Sequence, residues 1–409
     1  MMRFMRLLIG RRTLVFWILL AGVVIAQRQP LPFVQPPGAV QPNAPGQRNA
    51  APLAQLELKP PISEVKKVEY ASNGFIEVAH VLVLVPKREA ALARNLVLAQ
   101  ESVKRSFAAR PSLNEVDVSV YLEDDFDGLG GPLPLLTASG PKLEFGSFEQ
   151  LQPNTVLSFK RLWLHPGSVS PMPARTPDKI REQNPTFYGS SQDLRGQQVQ
   201  QLSSQLSGRM TGGLLFHGNP KFPVAALTFD DAPHPLFEPL LLDTLKRAGV
   251  KATFFCIGRN AKAYPYFVTD MIRAGHEIGN HTFHHVRLPK LSDAEVKDEF
   301  EQANTTLSGI TGQPVRYFRP PGGDYSRATL RIASSLGLTT TFWTDDPADF
   351  DNPGDAVIES RLVSKLRRGG IVLLHDNVLE TIQILPIFLK VAQARGLKLI
   401  SVGGMVASH

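Results

Sequence analysis

The sequence predicts an α/β protein whose C-terminal half is a parallel sheet with helical crossovers, preceded by a smaller α+β unit. Three observations carry this expectation. From Val224 onward, seven short β-type apolar runs alternate with six helix-period segments. Ahead of them, residues 63–205 supply one apolar run, one helical stripe and one alternating strand, a β-α-β start. The 409 residues are 43% apolar and 20% charged, enough to bury a core, which excludes wholesale disorder and allows two to three domains.

The N-terminus reads as an address. Arg3, Arg6, Arg11 and Arg12 precede the uncharged run Thr13–Ala26, whose length suits a signal-peptide core and falls short of the ~20 residues that span a bilayer. Residues 1–27 are therefore expected to be a signal peptide, or an uncleaved signal anchor extended by Met5–Gly10. The chain would be exported: extracellular, periplasmic, or anchored on the outer face of the cytoplasmic membrane. The formal charge of +7 first suggests a polyanion binder. Six arginines and no acid lie in residues 1–50, however, leaving 38 basic against 37 acidic residues elsewhere. Residues 221–409 hold 21 and 20, so no nucleic-acid partner is expected. The single cysteine, Cys256, lies in an apolar run and excludes an intrachain disulfide or a thiolate zinc cluster. Residues 28–62, with nine prolines, read as an extended linker.

Within 63–205, Ile76–Val85 is a β-rich run, and Leu92, Leu96, Ala99, Val103 and Phe107 share a helical face. Val116, Val118, Val120 and Leu122 alternate with polar residues as a half-buried strand. Glu123, Asp125, Asp127 and Gly128 mimic a calcium loop, but its twelfth position is Pro134, so a solvated acidic turn is expected. His165 to Gly208 is an irregular connector by composition.

From Val224 the expected strands are 224–229, 252–258, 277–281, 316–320, 339–344, 370–374 and 397–402. The expected helices are 236–248, 263–274, 292–308, 326–336, 355–368 and 378–395. Reactive residues belong at the carboxyl ends of such strands. The first strand runs into Asp230 and Asp231, two adjacent carboxylates that need a cation or a protonation difference, or that simply cap the next helix. The third delivers His281, His284 and His285. Histidines four apart can face one way on a helical turn, and with Asp231 they form a two-His, one-carboxylate set suited to zinc hydrolysis or to non-haem iron oxygenation. His281 with His284 is an alternative pair. The fourth strand delivers Arg319 and Gly322, the fifth leads to Asp345, Asp346, Asp349 and Phe350, and the sixth ends at His375, a natural general acid if Asp230 is the base.

TFDDAP at 228–233, HTFHH at 281–285, RPPGG at 319–323, DPADF at 346–350 and LLH at 373–375 resemble, in order and spacing, the five motifs of the polysaccharide deacetylases, carbohydrate esterase family 4, whose catalytic unit is the NodB homology domain. The resemblance covers residues 213–405. It implies a distorted (β/α)7 barrel holding one divalent cation, zinc in most members, with cobalt, nickel or manganese as alternatives. It implies hydrolytic removal of N- or O-linked acetyl groups from an acetylated polysaccharide, the leading reading being an N-acetylated glycan such as peptidoglycan, chitin-like oligomers or an exopolysaccharide. The chain is expected to be a monomer, with membrane contact only through an uncleaved leader. Carried over motif by motif, Asp231, His281 and His285 would be metal ligands, Asp230 the base and His375 the acid. Arg319 would position Asp230 and Asp349 would tune His375. The backbone N–H of Gly322 would face the oxyanion, and Leu373 and Phe350 would line the acetyl pocket. Three positions depart from the usual pattern: Ala232 for glycine, Phe350 for tryptophan and Gly322 for tyrosine. An O-acetyl esterase, for example on xylan, and a glycan-binding domain without turnover are the competing readings.

Overall fold

The computed structural model describes residues 52–126, 128, 132–169, 210–211 and 213–408. The expected leader, most of the linker, Asp127 of the acidic turn and most of the connector lie outside them. Among the described residues no helix is long and apolar enough to cross a membrane.

The first sheet has the order β1 (Ala54–Gln55), β2 (Val65–Ser72), β3 (Glu77–Val85), β4 (Glu115–Leu122), β5 (Leu136–Pro141), β6 (Leu162–Leu164). Only β3 and β4 are parallel, joined by helix α1 (Leu92–Ala109), and every other pair is antiparallel. On α1 the stripe buries Leu96, Ala99 and Val103, whereas Leu92 and Phe107 stay partly exposed. Residues 52–62 depart from a free linker: β1 pairs with Glu69 and Tyr70, and Leu56, Leu58 and Ile62 pack on the core of this sheet. The prolines punctuate that stretch, but its apolar side chains gain more from burial than from water. β4 also departs from a half-buried strand. Asp117, Ser119 and Tyr121 are as buried as Val116, Val118 and Val120, because a second layer covers the polar face.

Helices α2 (Phe145–Glu149) and α3 (Pro166–Val169) complete this part. After a short hairpin of β7 (Met210–Thr211) and β8 (Leu214–Leu215), seven β/α units follow. The strands are β9 (Val224–Ala232), β10 (Thr253–Cys256), β11 (Glu277–Asn280), β12 (Tyr317–Phe318), β13 (Thr339–Thr341), β14 (Ile371–His375) and β15 (Lys398–Ile400). The crossovers are α4 (Glu238–Ala248), the pair α5 (Gly258–Ala263) and α6 (Pro265–Arg273), α7 (Asp293–Thr311), α8 (Arg327–Ser335), α9 (Asp355–Lys365) and α10 (Leu379–Ala394), and α11 (Val402–Ala407) follows β15. Every β9–β15 pairing is parallel, in the order β14-β9-β10-β11-β12-β13, with β15 on the start of β9. The sheet curls shut through a parallel bridge between Asp345, beyond β13, and Val372 of β14, with Leu373 N–H bonded to Asp345 O at 2.8 Å. The result is the distorted (β/α)7 barrel. Its strands alternate sides: Val372 and Leu374 pack outward among the helices, while Ile371 and Leu373 join Ala226, Phe255 and Trp343 in an inner cluster.

Candidate active site

Two strands bring the first carboxylates and the last histidine together. β14 pairs with β9 in the register His375↔Asp230, so the ends of both strands arrive side by side. β9 continues to Ala232, which places Asp230 and Asp231 in the strand itself; α4 begins at Glu238, so neither carboxylate caps it. Asp231 adopts φ 70°, a left-handed conformation costing an L-residue roughly 1–2 kcal/mol. Ala232 is absent from the positive-φ positions, so its Cβ meets no such penalty.

The histidine motif leaves β11 as a loop rather than a helical turn. Thr282 and His285 have φ of 64° and 54°, and this double left-handed turn, not a 3.6-residue period, folds His285 back beside His281 with ring centroids 4.8 Å apart. Three buried groups fix the loop. Asn280 Oδ1 accepts the Thr282 N–H at 2.7 Å, and Thr282 Oγ1 accepts the His285 N–H at 3.1 Å. Glu299, on α7, accepts the N–H groups of Phe283 and His284 at 3.0 and 2.9 Å and contacts His284 Nδ1 at 2.5 Å. His284 is thereby turned to Glu299, and the pairing His281 with His284 is not formed. α7 is started by a capping box between Ser292 and Glu295. Glu299 was not singled out from the sequence, yet it carries a signal there: an acid on the helical stripe that buries Val296, Phe300, Ala303 and Leu307.

Asp231, His281 and His285 each offer one ligand atom, all within 4.8 Å of one another. His281 Nδ1 bonds the Arg319 carbonyl at 2.8 Å, which fixes its N–H there and leaves Nε2 as a lone pair. Asp231 Oδ1 lies 3.1 Å from His285 Nε2 and 3.5 Å from His281 Nε2, and is buried without a well-formed hydrogen bond. Burial raises the Asp231 carboxyl pKa, but the His285 and His281 imidazoles outweigh it and hold the group well below the usual range. Two imidazole nitrogens and one carboxylate oxygen converging on an orphaned buried position fit a divalent cation.

Around this cluster the expected partners pair off. Arg319, fully buried, donates from Nη1 to Asp230 Oδ1 and Thr228 Oγ1, both at 2.8 Å, and from Nη2 to Phe342 O at 3.2 Å. Its guanidinium also lies 4.2 Å over the Phe255 ring. Asp230 Oδ2 is 3.7 Å from His281 Nε2, so its second oxygen faces the ligand cluster. On the opposite side Asp349 Oδ1 contacts His375 Nδ1 at 2.8 Å, and its Oδ2 accepts the His375 N–H and the Thr381 hydroxyl at 2.8 and 2.7 Å. Ala348, at φ 56° and anchored by its N–H to Asp346 Oδ1, turns the chain so that Asp349 reaches His375. Burial alone would lower the His375 pKa, but the Asp349 carboxylate beside it pushes the value up to about 9. Phe350 meets the His375 ring edge-on, centroids 4.9 Å apart. Leu373 lies one layer deeper in the barrel, two residues before His375 on the same strand face. Gly322 takes φ 60°, which glycine adopts without steric cost. Thr228, the first residue of TFDDAP, and Thr381 and Asn377, common polar residues with no sequence mark of their role, also join the site.

Residues 217–341 match the polysaccharide deacetylase family. A peptidoglycan-N-acetylglucosamine deacetylase of Bacillus cereus is 37% identical over 156 residues, covering 38% of this chain and 73% of the relative. A chitooligosaccharide deacetylase of Sinorhizobium fredii is 39% identical over 157 residues, with 38% and 73% covered. Among solved structures, a family 4 carbohydrate esterase from Streptomyces lividans in complex with acetate is 29% identical and covers 43% of this chain and 91% of its own, with a TM-score of 0.42. On its likeness to the Bacillus cereus and Sinorhizobium fredii deacetylases over 73% of each, this chain, with its parallel β/α barrel, belongs to the polysaccharide deacetylases, a family of hydrolases.

Proposed function

We propose that the protein is exported and hydrolyses the N-acetyl group of an N-acetylated polysaccharide, of the peptidoglycan, chitin-like or poly-N-acetylglucosamine class. The observation that carries the reading is the convergence of Asp231, His281 and His285, with Asp230 on one side and His375 on the other. The relatives' activities and the leader expected at residues 1–27 support the substrate class and the location outside the cytoplasm.

Asp231, His281 and His285 would hold a divalent cation, which when bound would supply Lewis-acid activation of water and of the acetyl carbonyl, zinc being the metal whose donor preference matches best. Asp230, oriented through Oδ1 by Arg319, takes a water proton on its free Oδ2 as the water oxygen attacks the acetyl carbon. The Gly322 N–H, three residues after Arg319 in the RPPGG motif, serves the developing oxyanion, a role supported by the family resemblance. The C–N bond then breaks, and His375, carrying its proton at neutral pH, gives it to the departing amine. Acetate and a free amino sugar result. An amine is a poor leaving group unless protonated, so a histidine held cationic by Asp349 favours amide over ester chemistry. Phe350 and Leu373 provide apolar walls for the acetyl methyl.

Acetate release by the full chain, measured across peptidoglycan, chitin oligomers, poly-N-acetylglucosamine and acetylated xylan, tests this. Release is expected from the N-acetylated glycans, with chelation abolishing it and Asp230→Asn lowering turnover by roughly 10² to 10⁴. Release from xylan alone would make the protein an O-acetyl esterase, and activity surviving both treatments would overturn the mechanism.

A further inference from the structure

The stretch after β14 contributes more than His375. Asp376 donates its backbone N–H to Asp230 O at 3.0 Å, and its carboxylate Oδ2 accepts the His234 N–H at 2.9 Å. These two bonds pin Asp376 on both sides of Asp231, to Asp230 within β9 and to His234 just beyond its end. The next residue, Asn377, half-buried, then donates from Nδ2 to Asp231 Oδ2 at 3.1 Å. A carboxylate only accepts, so the amide must present its N–H to that oxygen. The two oxygens of Asp231 are thereby distinguished: Oδ2 is held by Asn377, and Oδ1 faces His281 and His285.

We propose that Asn377 is a positioning residue of the metal site, holding Asp231 so that it meets a divalent cation through Oδ1 alone. This rests on the ligand reading given above for Asp231, His281 and His285. Asp231 needs such a hold more than an ordinary ligand does. Its backbone sits in a left-handed conformation, and among the described hydrogen bonds of its side chain the Asn377 amide is the one of good geometry. Without the amide, Oδ2 is released, the carboxylate can rotate, and ordering it again opposes binding.

The test is zinc affinity of the full chain, measured by competition with a chromophoric chelator. Asn377→Ala is expected to weaken zinc by roughly 10- to 100-fold, the usual effect of removing a group that orients a ligand, while the melting temperature of the metal-free protein stays unchanged. Asn377→Gln, which keeps an amide donor, should recover part of the loss, a rescue that a merely structural role would not produce. Zinc binding by Asn377→Ala within twofold of wild type overturns the proposal. Asp231→Ala runs alongside: if it abolishes binding while Asn377→Ala does not weaken it, the ligand reading stands and only the role of Asn377 falls. If Asp231→Ala still binds zinc normally, the ligand reading itself fails and the proposal with it.

Discussion

At the scale of single residues, the chemistry depends on which charged group touches which. Two cations, Arg319 and His375, and three carboxylates, Asp230, Asp231 and Asp349, meet within one buried cluster, and the pairing decides their roles. Arg319 goes to Asp230, and His375 goes to Asp349. The second pairing sets a pH dependence. His375 is raised to about 9, so it is protonated at neutral pH, and the acid role proposed for it would be lost as pH rises through that value. A bound dication would pull the value downward by repulsion. Asp349→Asn removes the main group that raises it, so the alkaline limb of the turnover–pH profile should move to lower pH and turnover at pH 7 should fall. An unmoved limb would mean that another group governs it. The residue types and their order were legible in the sequence. The partners could be expected only through the family resemblance, because pairing depends on which strand ends are neighbours across the barrel.

At the scale of elements, the histidine loop shows how a short irregular segment is held in a strained shape. Thr282 and His285 both occupy left-handed backbone, and Glu299 compensates by accepting from two backbone N–H groups and contacting one imidazole. A neutral amide oxygen accepts these more weakly, and its NH2 faces another donor. Glu299→Gln should therefore cost about 1–3 kcal/mol of stability and weaken metal binding at least tenfold, checked by denaturant titration and chelator competition. Wild-type values for both would remove Glu299 from the site's support. The expectation of a helical turn at 281–285 came from spacing alone. Four residues of separation also suit a turn with two left-handed positions, and only the anchors from β11 and α7 select it.

At the scale of the whole molecule, the first sheet is fastened to the barrel through its polar face. Tyr266 donates to Asp117 Oδ2 at 2.7 Å, Ser119 Oγ lies 3.0 Å from Tyr264 OH, and Thr137 donates to Ala263 O at 2.5 Å. Arg161 bridges Glu115 at 2.7 Å and Asp270 of α6, and Asn73 donates to Leu240 O at 3.0 Å on α4. Burial pushes the Asp117 carboxyl well up, with the Tyr266 hydroxyl opposing it. Buried polar contacts of this kind specify one arrangement and leave costly orphan groups if the partner is removed. A fragment of residues 210–409 would expose Tyr264, Tyr266 and Phe267, which are buried in the whole chain. The full chain is expected to unfold in a single calorimetric transition and the fragment at a clearly lower temperature. Two separate transitions in the full chain, or equal melting of the fragment, would make the sheet an independent attachment.

The sequence by itself determined the alternation of strands and helices, the set of candidate reactive residues and their placement at the ends of successive strands. These follow from hydrophobic period and from the rule that parallel sheets present chemistry at their carboxyl ends. Only the tertiary structure decided the rest: that Glu299 turns His284 away from His281, that Asn377 holds Asp231, and that the polar face of β4 is buried. Each of these is a contact between segments far apart in the chain. Local pattern records whether a side chain suits water or core, but the identity of its partner is fixed by the register of the sheet and the packing of the layers over it.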